Sequence, residues 1–381
     1  MYVLIIALCY NILVVFIRVI YMKKITNVIL IVLLSISSVI SIFSCSVKFP
    51  IEVNNEIKNI IILIGDGMGQ NHIHNAKTYF ELDNQRFEES YITTLDTDSL
   101  TKGSPTDSAA GGTALATGVS VENGMVGQNN NQILKNIMEY ASDKNMLTGI
   151  VTDDYLYGAT PASFSAHTPS RGNVGDIMYD QATGPIDLLI GQYSEEYYNY
   201  ESIFTSNGYE MYNNTEDLYL ATYPQKVVAN INNVHSIYNP NYSNQINMLD
   251  LVKYAMEYLD NENGFVLMVE CAYIDKFSHG NDIISSLSEV RTLFDIANYI
   301  YDYIDDNSDT ALIVTADHET GGLQKTNIKS EITDDLYTTD DHTNSFVNLY
   351  SRGILRNNIN SIRKNIFVFD ICYKDIFPEE E

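Results

Sequence analysis

The chain is poor in positive charge. Among its 381 residues, 22 Lys and Arg stand against 49 Asp and Glu, a formal net charge of −27. Nucleic-acid binding rests on neutralising phosphates with Lys and Arg, so this balance argues against a nucleic-acid partner. The same field repels a phosphate substrate. An enzyme for phosphate built on this chain needs positive charge concentrated locally, most simply as bound metal ions. The acidic excess also serves solubility by itself. Cysteine is scarce too, with four residues. Cys9 and Cys45 belong to the N-terminal leader. Cys271 and Cys372 form no zinc-type CxxC pair, and one distant pair is weak evidence for a disulfide. Cys271 lies in an apolar run and reads as a buried core thiol. No internal repeat is present. The length suits one large α/β domain or two modest ones.

The N-terminus reads as targeting rather than fold. Tyr2 to Ile17 is nearly all apolar, with Arg18 after it. A second unit starts at Met22-Lys23-Lys24, continues as an apolar stretch from Ile25 to Phe43, and ends in Ile42-Phe43-Ser44-Cys45. That ending is similar to a bacterial lipoprotein cleavage box, with Cys45 lipidated and residues 1–44 removed. Met22 is then a candidate true start. The alternative is an uncleaved anchor helix long enough to span a bilayer. Both readings place the soluble part outside the cytoplasm, membrane-anchored and facing the periplasm or the extracellular side.

Past Lys58, short apolar runs recur and each ends in polar or glycine residues. Asn59 to Ile64 leads to Gly65-Asp66-Gly67. Leu147 to Val151 leads to Thr152-Asp153-Asp154, Phe265 to Val269 to Glu270, and Ala311 to Val314 to Thr315-Ala316-Asp317-His318. Runs this continuous suit strands buried on both faces of a parallel sheet. Helical patterns lie between them at Ile133 to Lys144, Met248 to Asp260 and Ser286 to Asp305. The alternation predicts an α/β fold, a three-layer sandwich with a largely parallel central sheet covered by helices on both faces. Ligands in such folds bind beyond the carboxyl ends of the strands, where these Asp, Glu and His residues fall. The expected domain covers residues 46–381, with an excursion from the sheet at about 193–247 that is rich in Tyr, Asn and Ser. Ile366 to Phe377 reads as a final strand and helix.

Six stretches carry candidate chemistry. Thr106-Asp107-Ser108 runs into a helix of very small residues, so Ser108 falls where unpaired N–H groups and the helix dipole favour an anion. Asp66 occupies a Gly-Asp-Gly turn. Asp275 and His279 are spaced to share one helical face. Asp317-His318 follows a buried strand, Glu270 ends the strand leading to Asp275, and His342 precedes another apolar run. Each alone also fits a plain role: a capped helix, a turn, a surface pair. Together, carboxylate with imidazole suits zinc, and carboxylate with hydroxyl suits magnesium. A serine beside two such sites is a recipe for phosphoryl transfer.

In motif order, IGDGMG, TDSAAGGTALATG, ATPASFSAHTPSRG, VECAYIDKFSHGND, VTADHETGGL and HTNSF resemble the alkaline phosphatase family from about Asn59 to the C-terminus. The resemblance implies hydrolysis of small phosphate monoesters through a phosphoserine, at two Zn2+ ions and one Mg2+. It assigns Ser108 as nucleophile. Asp275, His279 and His342 hold the first zinc. Asp66, Asp317 and His318 hold the second, and Asp66, Thr160 and Glu270 hold the magnesium. Arg171 grips two phosphate oxygens, as a guanidinium fork can and a lysine cannot. Asp107 orients Arg171, and Lys276 reaches the phosphate through water. A homodimer is possible on the same resemblance. One departure stands out. The family usually has Asp or His two residues before the magnesium threonine, and this chain has Gly158, so a weaker third site is expected. The alternatives are a phosphodiesterase or nucleotide pyrophosphatase of the same superfamily, and a non-catalytic zinc-binding surface lipoprotein. No Cys-x-Pro-x-Arg stretch exists to supply a sulfatase nucleophile.

Overall fold

The computed structural model of the protein describes residues 57–83, 85–222, 225–354, 359 and 361–377. The leader, with Met22 and Cys45, lies outside the described residues. Among the described residues, no helix is long and apolar enough to cross a membrane.

The fold is a three-layer α/β sandwich around a ten-stranded sheet. Its strands are β1 (Asn59–Gly65), β2 (Tyr91–Asp96), β3 (Leu147–Thr152), β4 (Leu188–Gln192), β5 (Tyr209–Tyr212), β6 (Lys226–Ile231), β7 (Phe265–Cys271), β8 (Thr310–Thr315), β9 (Val347–Arg352) and β10 (Arg363–Lys364). They lie in the order β10-β2-β9-β8-β1-β7-β3-β4-β6-β5. Every strand except β9 runs in one direction. The central strand β1 pairs in parallel with β8 and β7 and is buried along its whole length. Its NIIILIG sequence is what a strand covered on both faces requires.

Helices cover the sheet. α1 (Gln70–Phe80), α6 (Met248–Leu259) and α8 (Ile283–Asp306) form one layer, with α8 lying along β1, β7 and β8. Asp282 caps α8 by accepting from Ser285 N, and Leu287, Val290, Leu293, Phe294, Ala297 and Ile300 are all buried, as their periodicity predicts. α2 (Ser108–Thr117), α3 (Ile137–Asp143) and α9 (Phe367–Ile376) pack on one another, and α3 reaches β3 and β7. Between these come α4 (Ala159–Ser163), α5 (Val174–Thr183) and α7 (Tyr273–His279).

Three boundaries differ from the sequence reading. α3 begins at Ile137 rather than Ile133, because Asn136 and Glu139 form a reciprocal capping box and Gln132–Ile133 pairs back on Gln128–Asn129. The final strand and helix are the short β10, ahead of the expected range, and α9. The 193–247 segment is not wholly an excursion. It carries β5 and β6, which extend the sheet to its edge. Asn230 breaks the apolar run of β6, but its side chain accepts from Ser194 N at 2.7 Å and donates to Ser194 O at 2.8 Å, so its polarity is satisfied within the sheet margin.

Candidate active site

The predicted residues converge at the carboxyl ends of the strands. Asp66 follows β1, Asp317 and His318 follow β8, and Glu270 closes β7 just before α7 delivers Asp275 and His279. His342 comes in ahead of β9, whose reversed direction starts it at this same end. The loop after β2 brings in Ser108 at the first turn of α2.

Asp107 is the N-cap of α2 and accepts from Ala110 N at 3.0 Å. It also accepts from Gly124 N and, at 3.4 Å, from Arg171 Nη1. One carboxylate therefore fixes both the helix start and the guanidinium. The buried α2 comes close to Asp317 because position 111 is glycine. A Cβ there would lie 2.8 Å from Asp317 O. Ser108 Oγ consequently lies 3.2 Å from His318 Nε2.

Around that nitrogen, Asp66 Oδ1 is 3.3 Å away and Asp317 Oδ2 3.2 Å. A second group forms beside it. His279 Nε2 is 3.1 Å from His342 Nε2, and Asp275 Oδ1 is 3.4 Å from the former and 3.5 Å from the latter. His279 Nδ1 donates to Asp340 O and His342 Nδ1 to Thr106 O, at 2.6 and 2.7 Å. Each ring thus turns its Nε2 inward, toward Asp275. The His318 and His342 rings stack with centroids 3.7 Å apart. Among the described residues, Asp66, Asp317 and His318 offer ligand atoms within 4.8 Å of one another, and so do Asp275, His318 and His342. His318 stands between the two groups.

The electrostatics fit cations. Burial, then the charges of Asp317, Asp275 and Glu270, raises the Asp66 carboxyl well above its ordinary value. Burial and Asp275 push Asp317 up to about 7, while burial and Asp154 push Glu270 up to about 8. Burial and His342 drive His318 well below the imidazole range, leaving a neutral ring. Burial opposes ionisation of Asp275, but the hydrogen bond to His342 and the adjoining imidazoles outweigh it and hold the carboxyl low. Asp66 Oδ1, Asp317 Oδ2 and Thr160 Oγ1 are buried without a hydrogen-bond partner. Mutually repelling carboxylates with orphaned oxygens are stable as anions when a dication neutralises them. The mixed nitrogen and oxygen sets suit zinc, and Asp66, Thr160 and Glu270 offer only oxygen, as magnesium prefers.

Two contributors escaped the sequence reading. Thr320 donates to Asp275 Oδ1 at 2.5 Å and lies 3.3 Å from His318 Nδ1, tying the two groups together. Asp154 pairs with Lys276 Nζ. The remaining histidines stay outside the cluster. His72 links Gly69 N to Ser278 Oγ, His74 meets Thr326 O, His167 pairs with Glu139, and His235 stacks on Tyr242.

Comparison with known proteins follows the same lines. The chain matches the alkaline phosphatase family over residues 57–194 and 199–375. It is 31% identical over 294 residues to alkaline phosphatase 4 of Bacillus subtilis, covering 70% of this chain and 62% of that one. It is 31% identical over 310 residues to an alkaline phosphatase of Schizosaccharomyces pombe, covering 71% and 57%. The chain spans about six-tenths of the length of these curated relatives. Its fold is similar to that of alkaline phosphatase from the Antarctic bacterium TAB5, with TM-score 0.74 at 24% identity, covering 84% of this chain and 98% of that one. A variant of that enzyme with Mg bound in its M3 site gives TM-score 0.71 at 23% identity, covering 84% and 98%. The Thermus thermophilus alkaline phosphatase gives TM-score 0.73 at 19% identity, covering 86% and 94%.

Proposed function

The chain belongs to the alkaline phosphatase family, and we propose that it releases inorganic phosphate from small phosphate monoesters through a phosphoserine formed on Ser108. The observation that carries this reading is the position of Ser108 Oγ, at a helix N-terminus and 3.2 Å from a neutral His318 flanked by Asp66 and Asp317.

Asp275, His279 and His342 would hold one zinc. Asp66, Asp317 and His318 would hold the second, and Asp66, Thr160 and Glu270 a magnesium. When bound, these ions lower the pKa of a hydroxyl or water and offset charge on the departing oxygen. Ser108 Oγ attacks phosphorus as the bond to the alcohol oxygen breaks, and the serine proton ends on the alcohol. Arg171, anchored by Asp107, grips two non-bridging oxygens, while the first N–H groups of α2 face the same charge. Water then attacks the phosphoserine, the bond to Oγ breaks, and Ser108 regains its proton as phosphate leaves. Lys276, next in sequence to Asp275, adds a positive charge that reaches the phosphate through water.

The positive charge of Arg171 favours a terminal phosphate over a diester, which carries one charge fewer. Comparing phenyl phosphate with its diester tests this. Hydrolysis faster on the monoester, and abolished in Ser108→Ala with zinc retained, is expected. Faster diester cleavage points to the phosphodiesterase reading, and zinc binding without turnover to the surface-lipoprotein reading.

The proposal extends to location. Residues 1–44 direct export, Cys45 carries the lipid, and residues 46–381 form the catalytic domain. Palmitate labelling that disappears in Cys45→Ala is expected, and persistent labelling would refute the assignment.

A further inference from the structure

We propose that Asp154 is a positioning residue for the third ion, supplying from the turn after β3 the outer carboxylate that position 158 does not supply in this chain. The proposal rests on the site reading above, in which Asp66, Thr160 and Glu270 hold that ion.

Gly158 looks from sequence like a missing support. In the structure its space is taken. A Cβ on Gly158 would lie 2.5 Å from Asp154 Oδ2 and 2.9 Å from Tyr155 O, closer than real Cβ atoms approach. Asp154 is fixed in that place on several sides. Its Oδ1 accepts from Lys276 Nζ. Its N–H donates to Thr152 Oγ1 at 2.9 Å, and its carbonyl accepts from Gln192 N at 2.7 Å. The turn closes with Gly158 N donating to Tyr155 O at 2.7 Å. Any side chain at 158 would have to displace the Asp154 carboxylate or break that turn.

The residue is also tied to the site. Thr152, which receives the Asp154 N–H, donates onward to Glu270 Oε2 at 2.5 Å. Asp154 is the charged neighbour acting most strongly on Glu270. Lys276 directly follows Asp275, so the Asp154 pair ties the helix that carries Asp275 to the turn that precedes Thr160. Burial opposes a charged Lys276, yet the Asp154 charge holds its ammonium above the ordinary lysine range. A carboxylate there contributes negative potential toward a dication at Glu270 and Thr160, and it holds the Lys276 ammonium on the turn that precedes Thr160. Outer partners of this kind change metal affinity by about 10–100-fold.

The test is calorimetric titration of magnesium into zinc-loaded full chain, with zinc content measured alongside. Asp154→Ala and the shape-preserving Asp154→Asn should each bind magnesium about 10–100-fold more weakly while keeping two zinc ions. Gly158→Asp alone should also weaken magnesium, because two carboxylates compete for one volume. The double variant Asp154→Ala/Gly158→Asp should recover most of the loss. Unchanged affinity in either Asp154 variant overturns the proposal. So does loss of zinc in both Asp154 variants, which would mark a merely structural ion pair, or a double variant no better than Asp154→Ala. A wild-type chain that binds zinc but no magnesium overturns the third-ion reading itself, and is distinct from those outcomes.

Discussion

At the scale of single residues, the site is a set of groups that resist their own charge. Glu270 reaches about 8 and Asp317 about 7 because burial and neighbouring carboxylates penalise the anions. Their folded values lie above their unfolded ones. The stability they contribute is therefore complete below about pH 4, and it is lost as pH rises through about 7 to 8. The chelated protein should lose stability across that range, and saturating zinc and magnesium should reverse the slope by stabilising the anions. Denaturant titrations at pH 6.5, above the range in which the buried neutral histidines would charge, and at pH 8.5, with and without metal, measure this. Chelated protein that gains stability toward pH 8.5 would contradict it. Most of these residues could be read from the sequence, because Asp-x-x-x-His, Asp-His and Gly-Asp-Gly are local patterns at strand ends. Asp154 and Thr320 could not. Each acts through a partner far along the chain, Lys276 and Asp275, and spacing alone does not show such pairings.

At the scale of elements, the decisive contact is α2 against the turn after β8. Gly111 allows it, and a Cβ at that position would lie 2.8 Å from Asp317 O and 3.0 Å from Asp317 Cβ. Gly111→Ala should push α2 away from Asp317, costing about 1–3 kcal/mol as overpacking does. It should also lower zinc affinity at the Ser108 side. Chemical denaturation of the chelated variant separates these two effects, and unchanged stability and zinc binding would mean that the approach is looser than its geometry. The element pattern was legible where apolar runs are unbroken, as in β1, β7 and β8. It failed at β5 and β6, where Tyr-Glu-Met-Tyr is too short and polar to signal a strand and Asn230 interrupts the run. β6 is specified by pairing with β4 and by the Ser194 contacts, and β5 by pairing with β6, all outside any local window.

At the scale of the whole molecule, a chain of net charge −27 gathers buried carboxylates where the proposed phosphate substrate would enter. Arg171 and Lys276 alone do not offset them, and each is already paired with an aspartate. Bound dications resolve this contradiction, so substrate binding and turnover should both depend on them. The most direct measurement is phosphate release from an aryl phosphate monoester by residues 46–381, before chelation, after chelation and after zinc add-back. The expected result is turnover that vanishes with the metal and returns with zinc. Zinc-replete, folded protein that releases no phosphate, or turnover that survives complete metal removal, would contradict it.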